Sequence, residues 1–268
     1  MIGVYEKSMP NSMSVKEKLA VAKAAGFDFM EISIDETDEK LSRLNNTNFV
    51  NEVKTAIEEC SLPILTMCLS GHRKYPLGTE SQAVAERSMQ IMQGAIDFAV
   101  SVGIRIIQLA GYDEYYNESN ETTRKNFELR LSESIRLAAK KGVILAFETM
   151  ETPFMNTVEK SMKYVSMINN PYLQVYPDLG NVTNGAVDAI DDLKTGEGHI
   201  VAAHLKETKE GVFRDMFFGE GRVDFKGCLT ELKRQGVELF NCEFWYDGIS
   251  EPLEYLKKAR TFFKELGI

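Results

Sequence analysis

A chain of 268 residues that is 44% hydrophobic is long enough to bury a sizeable core as one large domain. Its formal net charge of −9 is spread along the chain and lacks the basic footprint that nucleic acid requires. No apolar run approaches membrane-spanning length, and Glu6 and Lys7 interrupt MIGVYEKSMP before the apolar core of a signal peptide can form.

Short apolar runs alternate with longer amphipathic ones. In chain order the predicted strands are IGVYE (2–6), FMEISI (29–34), ILTMCLS (64–70), RIIQLAG (105–111), VILAFET (143–149), LQVYPD (173–178), IVAAHLKET (200–208) and FNCEFW (240–245). Helical periodicity fills the gaps, as in SVKEKLAVAKAAG, AVAERSMQIMQGAIDFAVSVG and NFELRLSESIRLAAKKG, which stop at Gly26, Gly103 and Gly142. Eight strands in strict alternation with eight helices, at roughly 33 residues per unit, predict a single (β/α)8 TIM barrel of class α/β over residues 1–268. Strands dense in Val, Ile and Leu suit a parallel sheet covered on both faces. The open doubly wound alternative would carry a Gly-rich first turn, but EKSMPNSMS follows the first strand, so no nucleotide cofactor is expected. Cys60, Cys68, Cys228 and Cys242 show no C-x-x-C pairing and are expected to be free thiols, as in a cytoplasmic protein.

Barrel chemistry collects at the C-terminal ends of strands. There the fifth strand presents Glu148, the sixth Asp178, the seventh His204 and the eighth Glu243, each after apolar residues. Singly, each has a plain structural reading: a solvated or paired glutamate, a helix-capping aspartate, a core histidine. Together, three carboxylates and one imidazole in one mouth repel each other unless a cation sits among them. One divalent metal ion is therefore expected, and oxygen and nitrogen donors admit Mn2+, Mg2+, Co2+ or Zn2+. Glu148 and Glu243 lie three strands apart in an eight-strand ring, so they enter from nearly opposite sides. Such a pair can take a proton from a carbon beside a carbonyl and return one to the other face, giving an epimerase. Transfer to the neighbouring carbon would give an aldose–ketose isomerase, and an activated water a hydrolase. The three histidines, His72, His199 and His204, and the stretch LSGHRK offer no nucleophile motif of the G-x-S-x-G type.

At this point a resemblance enters. GVYEKSMP, GFDFMEISIDETDEKLSRL, MCLSGHRKYPLG, IRIIQLAGYDEYY, NNPYLQVYPDLGN, GHIVAAHLKETKEGVF and FGEGRVDF resemble the L-ribulose-5-phosphate 3-epimerases. These enzymes, also called L-xylulose-5-phosphate 3-epimerases, serve L-ascorbate utilisation and belong to the xylose-isomerase-like barrels. The likeness spans nearly the whole chain and includes loops. It implies a metal-dependent barrel in which Glu148, Asp178, His204 and Glu243 match the metal ligands, and Glu148 and Glu243 the proton-shuttling pair. It also implies a small phosphorylated ketose as substrate, without nucleic acid or membrane partners, and leaves room for a homodimer. Barrels that epimerise free ketoses carry a histidine three after the Asp ligand and an arginine six after the His ligand. Asn181 and Glu210 stand there instead. Nuclease relatives need further ligands where this chain has Gln108 and Asn181. A different ketose or ketose-phosphate 3-epimerase and a hydroxypyruvate isomerase-like enzyme are the other readings.

Phosphate sites of barrels favour the loops after strands 7 and 8. Lys206, Lys209 and Arg214 are thus expected to clamp a phosphate, helped by backbone N–H groups near Gly219 and Gly221. His72 and Arg73 are expected hydroxyl or phosphate contacts. Glu6, Ser33, Gln108 and Asn181 are expected around the sugar, with a structural pair as the competing role for Glu6. Glu151 is expected in the loop beyond Glu148, and Trp245 either walls the pocket or packs in the core.

Overall fold

The structure is a computed structural model that describes residues 1–268 throughout. Eight strands form one sheet: β1 (Ile2–Tyr5), β2 (Phe29–Ile34), β3 (Ile64–Leu69), β4 (Ile106–Ala110), β5 (Ile144–Glu148), β6 (Leu173–Val175), β7 (Ala203–Leu205) and β8 (Phe240–Cys242). Paired neighbours are all parallel, in the order β6-β5-β4-β3-β2-β1-β8-β7. Two isolated parallel bridges, Val175↔Ile200 and Asp178↔His204, close the ring between β6 and β7. The last three strands are shorter than the apolar runs that announced them. In β6 the reason is Pro177, which has no N–H to give the ladder. The carbonyl of Pro177 still accepts from the N–H of His204 at 2.9 Å, so the seam holds where two candidate ligands sit.

Around the sheet lie α1 (Val15–Ala24), α2 (Asp38–Ser42), α3 (Thr47–Cys60), α4 (Gln82–Val102), α5 (Glu121–Lys141), α6 (Val158–Ile168), α7 (Leu179–Gly185), α8 (Ala189–Lys194), α9 (Phe225–Arg234) and α10 (Pro252–Glu265). That is ten α-helices, not eight. The extra two, α2 after β2 and α7 after β6, have five and seven residues, too few to show a period. Side-chain caps start them: Thr37 accepts from the N–H of Lys40, and Asp178 from that of Asn181. The long helices stop where expected. Gly103 and Gly142 cap α4 and α5 with φ of 90° and 68°, a region closed to most side chains.

One cluster of 61 buried apolar residues fills the space between sheet and helices. Inside the barrel a smaller plug of Ile106, Ala146, Tyr176 and Ala202 gives way, towards the C-terminal mouth, to a polar interior. No helix is long and apolar enough to cross a membrane, and all four cysteines are free.

Candidate active site

Side chains two apart on a strand share a face, so each strand can deliver two inward residues in succession. Lower in the barrel these are Glu31, Thr66, Tyr176, His204 and Asn241, which touch one another across it. One step nearer the mouth stand Tyr5, Ser33, Cys68, Gln108, Glu148, Asp178, Lys206 and Glu243. All of these are buried.

Glu148, Asp178, His204 and Glu243 come together, with one ligand atom from each within 4.8 Å of the others. His204 Nδ1 lies 2.9 Å from Glu148 Oε1 and 3.1 Å from Glu243 Oε2. Asp178 does two things with its two oxygens. Oδ1 caps α7, accepting from the Asn181 N–H at 2.6 Å, while Oδ2 has no hydrogen-bond partner. Glu243 Oε2 is also buried without a hydrogen-bond partner. The Lys206 ammonium stands beside them, 3.2 Å from Asp178 Oδ2 and 3.8 Å from Glu243 Oε2, close enough for charge attraction but off line for a hydrogen bond. In the state a metal requires, with the imidazole neutral and all three carboxyls ionised, one ammonium would leave two negative charges in excess. A divalent cation offsets that excess and supplies the missing partner of both orphaned oxygens, so these residues fit the expected ion.

The acidities follow from burial and neighbours. Burial and the charge of Glu243 push Glu148 above the ordinary carboxylate range. Burial pushes Asp178 well up. Burial also acts on Glu243, but Lys206 and His204 outweigh it and hold that carboxyl down. For Lys206 and His204, burial opposes the charge, yet the surrounding carboxylates win and both are raised.

The structure moves several expected residues. Lys206, expected as a phosphate clamp, is on the inward face two after His204 and faces the carboxylates. The N–H of Gly219 is taken by Glu207 Oε2 at 2.9 Å and that of Val223 by Glu207 Oε1 at 3.1 Å, so this loop is tied to a buried glutamate. A Cβ on Gly221 would meet Glu207 Oε1 at 2.2 Å, which shows how closely the loop wraps it. Lys209 is exposed. Arg214 is also exposed and lies over the Trp245 ring at 5.2 Å, with Glu151 Oε1 at 4.0 Å. Trp245 meets Tyr5 edge-on, at 6.4 Å, and so walls the mouth.

On the opposite side, Gln108 donates through Nε2 to Glu148 Oε2 and leaves its Oε1 unpaired. Asn181 donates to the Thr149 carbonyl at 2.7 Å, with Oδ1 also unpaired. Glu6 takes the structural role: Lys40 donates to it, and Arg43 Nη1 reaches both its oxygens at 3.0 Å. Lys7 pairs with Asp35 at 2.6 Å beside them. His72 is buried and bonds the Ser88 carbonyl at 3.2 Å; burial lowers it to about 4 and keeps it neutral. Arg73 stacks over Tyr115 at 4.8 Å, and its buried Nε has no hydrogen-bond partner, nor has the buried hydroxyl of Tyr112. A cavity of about 740 Å3 lies not over the carboxylate cluster but beyond Trp245. It is lined by Asp215, Glu220, Asp247, Glu251 and Glu254 against Lys258.

Sequence reasoning missed Glu31, which sits fully buried beneath His204 with Nε2 2.7 Å from its Oε1. The available signal was a lone acid in the middle of FMEISI.

Comparison with known proteins agrees with this architecture. The family model described as xylose isomerase-like TIM barrel matches residues 19–266. The L-ribulose-5-phosphate 3-epimerases UlaE of Escherichia coli O157:H7 and Shigella boydii serotype 18 are each 45% identical to the chain over 265 residues, covering 98% of it and 93% of their own length. Among solved structures, a D-allulose 3-epimerase from Methylomonas sp. in complex with D-allulose superposes with a TM-score of 0.82 at 16% identity, covering 98% of this chain and 96% of that one. An L-ribulose 3-epimerase does so with a TM-score of 0.78 at 18% identity, covering 99% and 93%. At such identities the structural likeness speaks for the fold, while the family match and the 45% relatives speak for descent. The chain belongs to the xylose isomerase-like TIM barrel family.

Proposed function

We propose that the chain is a metal-dependent 3-epimerase interconverting L-ribulose 5-phosphate and L-xylulose 5-phosphate. The observation that carries this reading is the buried pair Glu148 and Glu243, which flank His204 Nδ1 at 2.9 and 3.1 Å from strands on different sides of the barrel. The identity of 45% to L-ribulose-5-phosphate 3-epimerases over 98% of the chain supports the choice of substrate.

A divalent ion bound by Glu148, Asp178, His204 and Glu243 would supply Lewis-acid polarisation of the ketose carbonyl and the neighbouring hydroxyl. The rest falls to the chain. One of the two glutamates, ionised, takes the hydrogen of C3 as a proton, and the electron pair passes into the C2–C3 enediolate. The other, protonated, returns a proton to the opposite face of C3. Each turnover leaves the two carboxyls with exchanged protons, the state from which the reverse reaction starts, and exchange with water resets them. Gln108 fixes the orientation of Glu148 through its hydrogen bond, and Lys206 adds positive charge where the enediolate develops. The phosphate lies on the β1–β3 side, where Lys7, Lys40 and Arg43 are paired with Asp35 and Glu6 but the buried Nε of Arg73 has no hydrogen-bond partner.

The test is proton NMR of L-ribulose 5-phosphate with Mn2+- or Zn2+-treated protein in D2O, the paramagnetic ion being removed before spectra are taken. Deuterium is expected at C3 alone, with L-xylulose 5-phosphate accumulating. Exchange at C1 would point to aldose–ketose isomerisation, and no exchange in any ketose phosphate would sink the reading. Prior removal of metal with a chelator should abolish turnover, and re-addition of a divalent ion should restore it.

A further inference from the structure

His204 has an acidic group on each ring nitrogen. Nδ1 faces Glu148 and Glu243, and Nε2 faces Glu31 Oε1 at 2.7 Å. Which nitrogen keeps its hydrogen is settled by the other bonds of Glu31. Its Oε2 accepts from the Thr66 hydroxyl at 2.7 Å and the Tyr176 hydroxyl at 3.0 Å, and its Oε1 from Asn241 Nδ2 at 3.0 Å. Asn241 Nδ2 can only donate and both hydroxyls point their oxygens at Glu31 within donating distance, so with the ring Nε2 the carboxyl is placed as a fourfold acceptor. In that arrangement the imidazole donates through Nε2. Its Nδ1 then carries the lone pair that a cation shared with the carboxylates above requires.

We propose that Glu31 is a positioning residue for the metal ion: it holds His204 in the Nε2–H form, with the ring turned so that Nδ1 is the ligating atom. The anchor is stiff because its partners come from β3, β7 and β8 and from the residue just past β6, while Glu31 itself is on β2 and fully buried. A carboxylate behind a metal-bound histidine both orients the ring and raises its basicity, and loss of such a partner costs about 10- to 100-fold in metal affinity. This rests on the metal half of the proposed function and is independent of the substrate.

The experiment uses the full chain, freed of metal and titrated with Co2+ by visible absorption and with Zn2+ against a chromophoric chelator. In Glu31→Gln the negative charge behind the ring is lost and one carboxamide oxygen replaces two accepting oxygens, so affinity is expected to fall about 10- to 100-fold with a shifted Co2+ band. Thr66→Val removes one support of Glu31 and leaves its contact with His204; it should lower Tm but hold affinity within a few-fold. Wild-type affinity and spectrum in a folded Glu31→Gln protein, or an equal loss in Thr66→Val, would overturn the proposal. If Glu31→Gln does not fold, 1H–15N correlation spectra of the zinc-loaded wild type decide: a proton on Nε2 with Nδ1 ligated supports it, and the reverse overturns it. Failure of the wild type to take up either ion would sink the metal reading itself, whereas uptake without dependence on Glu31 sinks only this inference.

Discussion

The two sides of the barrel mouth differ in how far their carboxylates are matched by cations. Beyond Trp245, on the β8 side, the 740 Å3 cavity is lined by five carboxylates and one lysine. Across the mouth, at the ends of β1, β2 and β3, Lys7, Lys40, Arg43 and Arg73 stand with Glu6, Asp35 and Glu36; Lys7 pairs with Asp35 and Lys40 and Arg43 with Glu6, while the buried Nε of Arg73 has no hydrogen-bond partner. Between them the catalytic candidates sit on the β5–β8 arc, while β1–β4 contribute Tyr5, Ser33, Cys68 and Gln108. Three of those four are neutral partners in a hydrogen-bonded wall, in which the Tyr5 hydroxyl bonds Ser33 Oγ at 3.0 Å and reaches Cys68 Sγ at 3.8 Å. Size alone would choose the cavity beyond Trp245 as the binding site. Charge chooses against it, because a phosphate dianion placed there meets repulsion with little basic compensation. On the proposed function, the contrast would turn the reacting carbon of the substrate over Glu148 and Glu243 and its phosphate towards Arg73.

The largest effect should come from the acidic arc. Glu148→Gln and Glu243→Gln each remove one proton carrier while keeping size, and kcat is expected to fall by about 10²- to 10⁴-fold. The two variants should also split the exchange experiment. Each should retain wash-in of deuterium from at most one epimer, because only one face of C3 is left with a working carboxylate. Equal residual exchange from both epimers in both variants would mean that a single base serves both faces, and the division of labour across the mouth would collapse.

A smaller effect tests the basic side. A charged hydrogen bond contributes about 1.5–3 kcal/mol, so Arg73→Ala should raise KM for the phosphorylated ketose by about 10-fold or more. KM for the free ketose should change much less. Arg214→Ala, whose guanidinium is on Trp245 beside the acidic cavity, should leave that ratio nearly untouched. The reverse ranking would put the phosphate on the β8 side and undo the orientation argued above.

How far the sequence reached depends on the range of the signal. The eight-fold alternation and the strand-end cluster of Glu148, Asp178, His204 and Glu243 are local patterns, and both are legible in the sequence. For Lys206 the expected clamp role conflicts with the spacing in HLK: His204 and Lys206 are two apart, and extended backbone running one residue past β7 turns both inward. Glu31 was invisible for a different reason. Its partners are 35, 145, 173 and 210 residues away, so nothing near it in FMEISI distinguishes a buried acceptor from an edge charge. The short helices α2 and α7 hid because one or two turns have a cap but no period.

The smallest effect on turnover separates Arg73 from its neighbour His72, since both were expected at the phosphate. His72 is held by Ser88 on α4 and is lowered to about 4 by burial, against an ordinary histidine near 6.5. Between those values the unfolded chain binds a proton that the folded protein refuses. Stability contributed by the neutral ring is therefore present above pH ~6.5 and is lost as pH falls towards ~4, by about 3 kcal/mol in all. His72→Gln can still donate to the Ser88 carbonyl but does not titrate. Its chemical-denaturation free energy should fall less steeply than that of the wild type between pH 6.5 and 4, while KM for the phosphorylated ketose at neutral pH stays within about two-fold. A rise in KM matching that of Arg73→Ala, with the acid sensitivity unchanged, would instead bring His72 to the substrate and extend the basic side of the mouth by one residue.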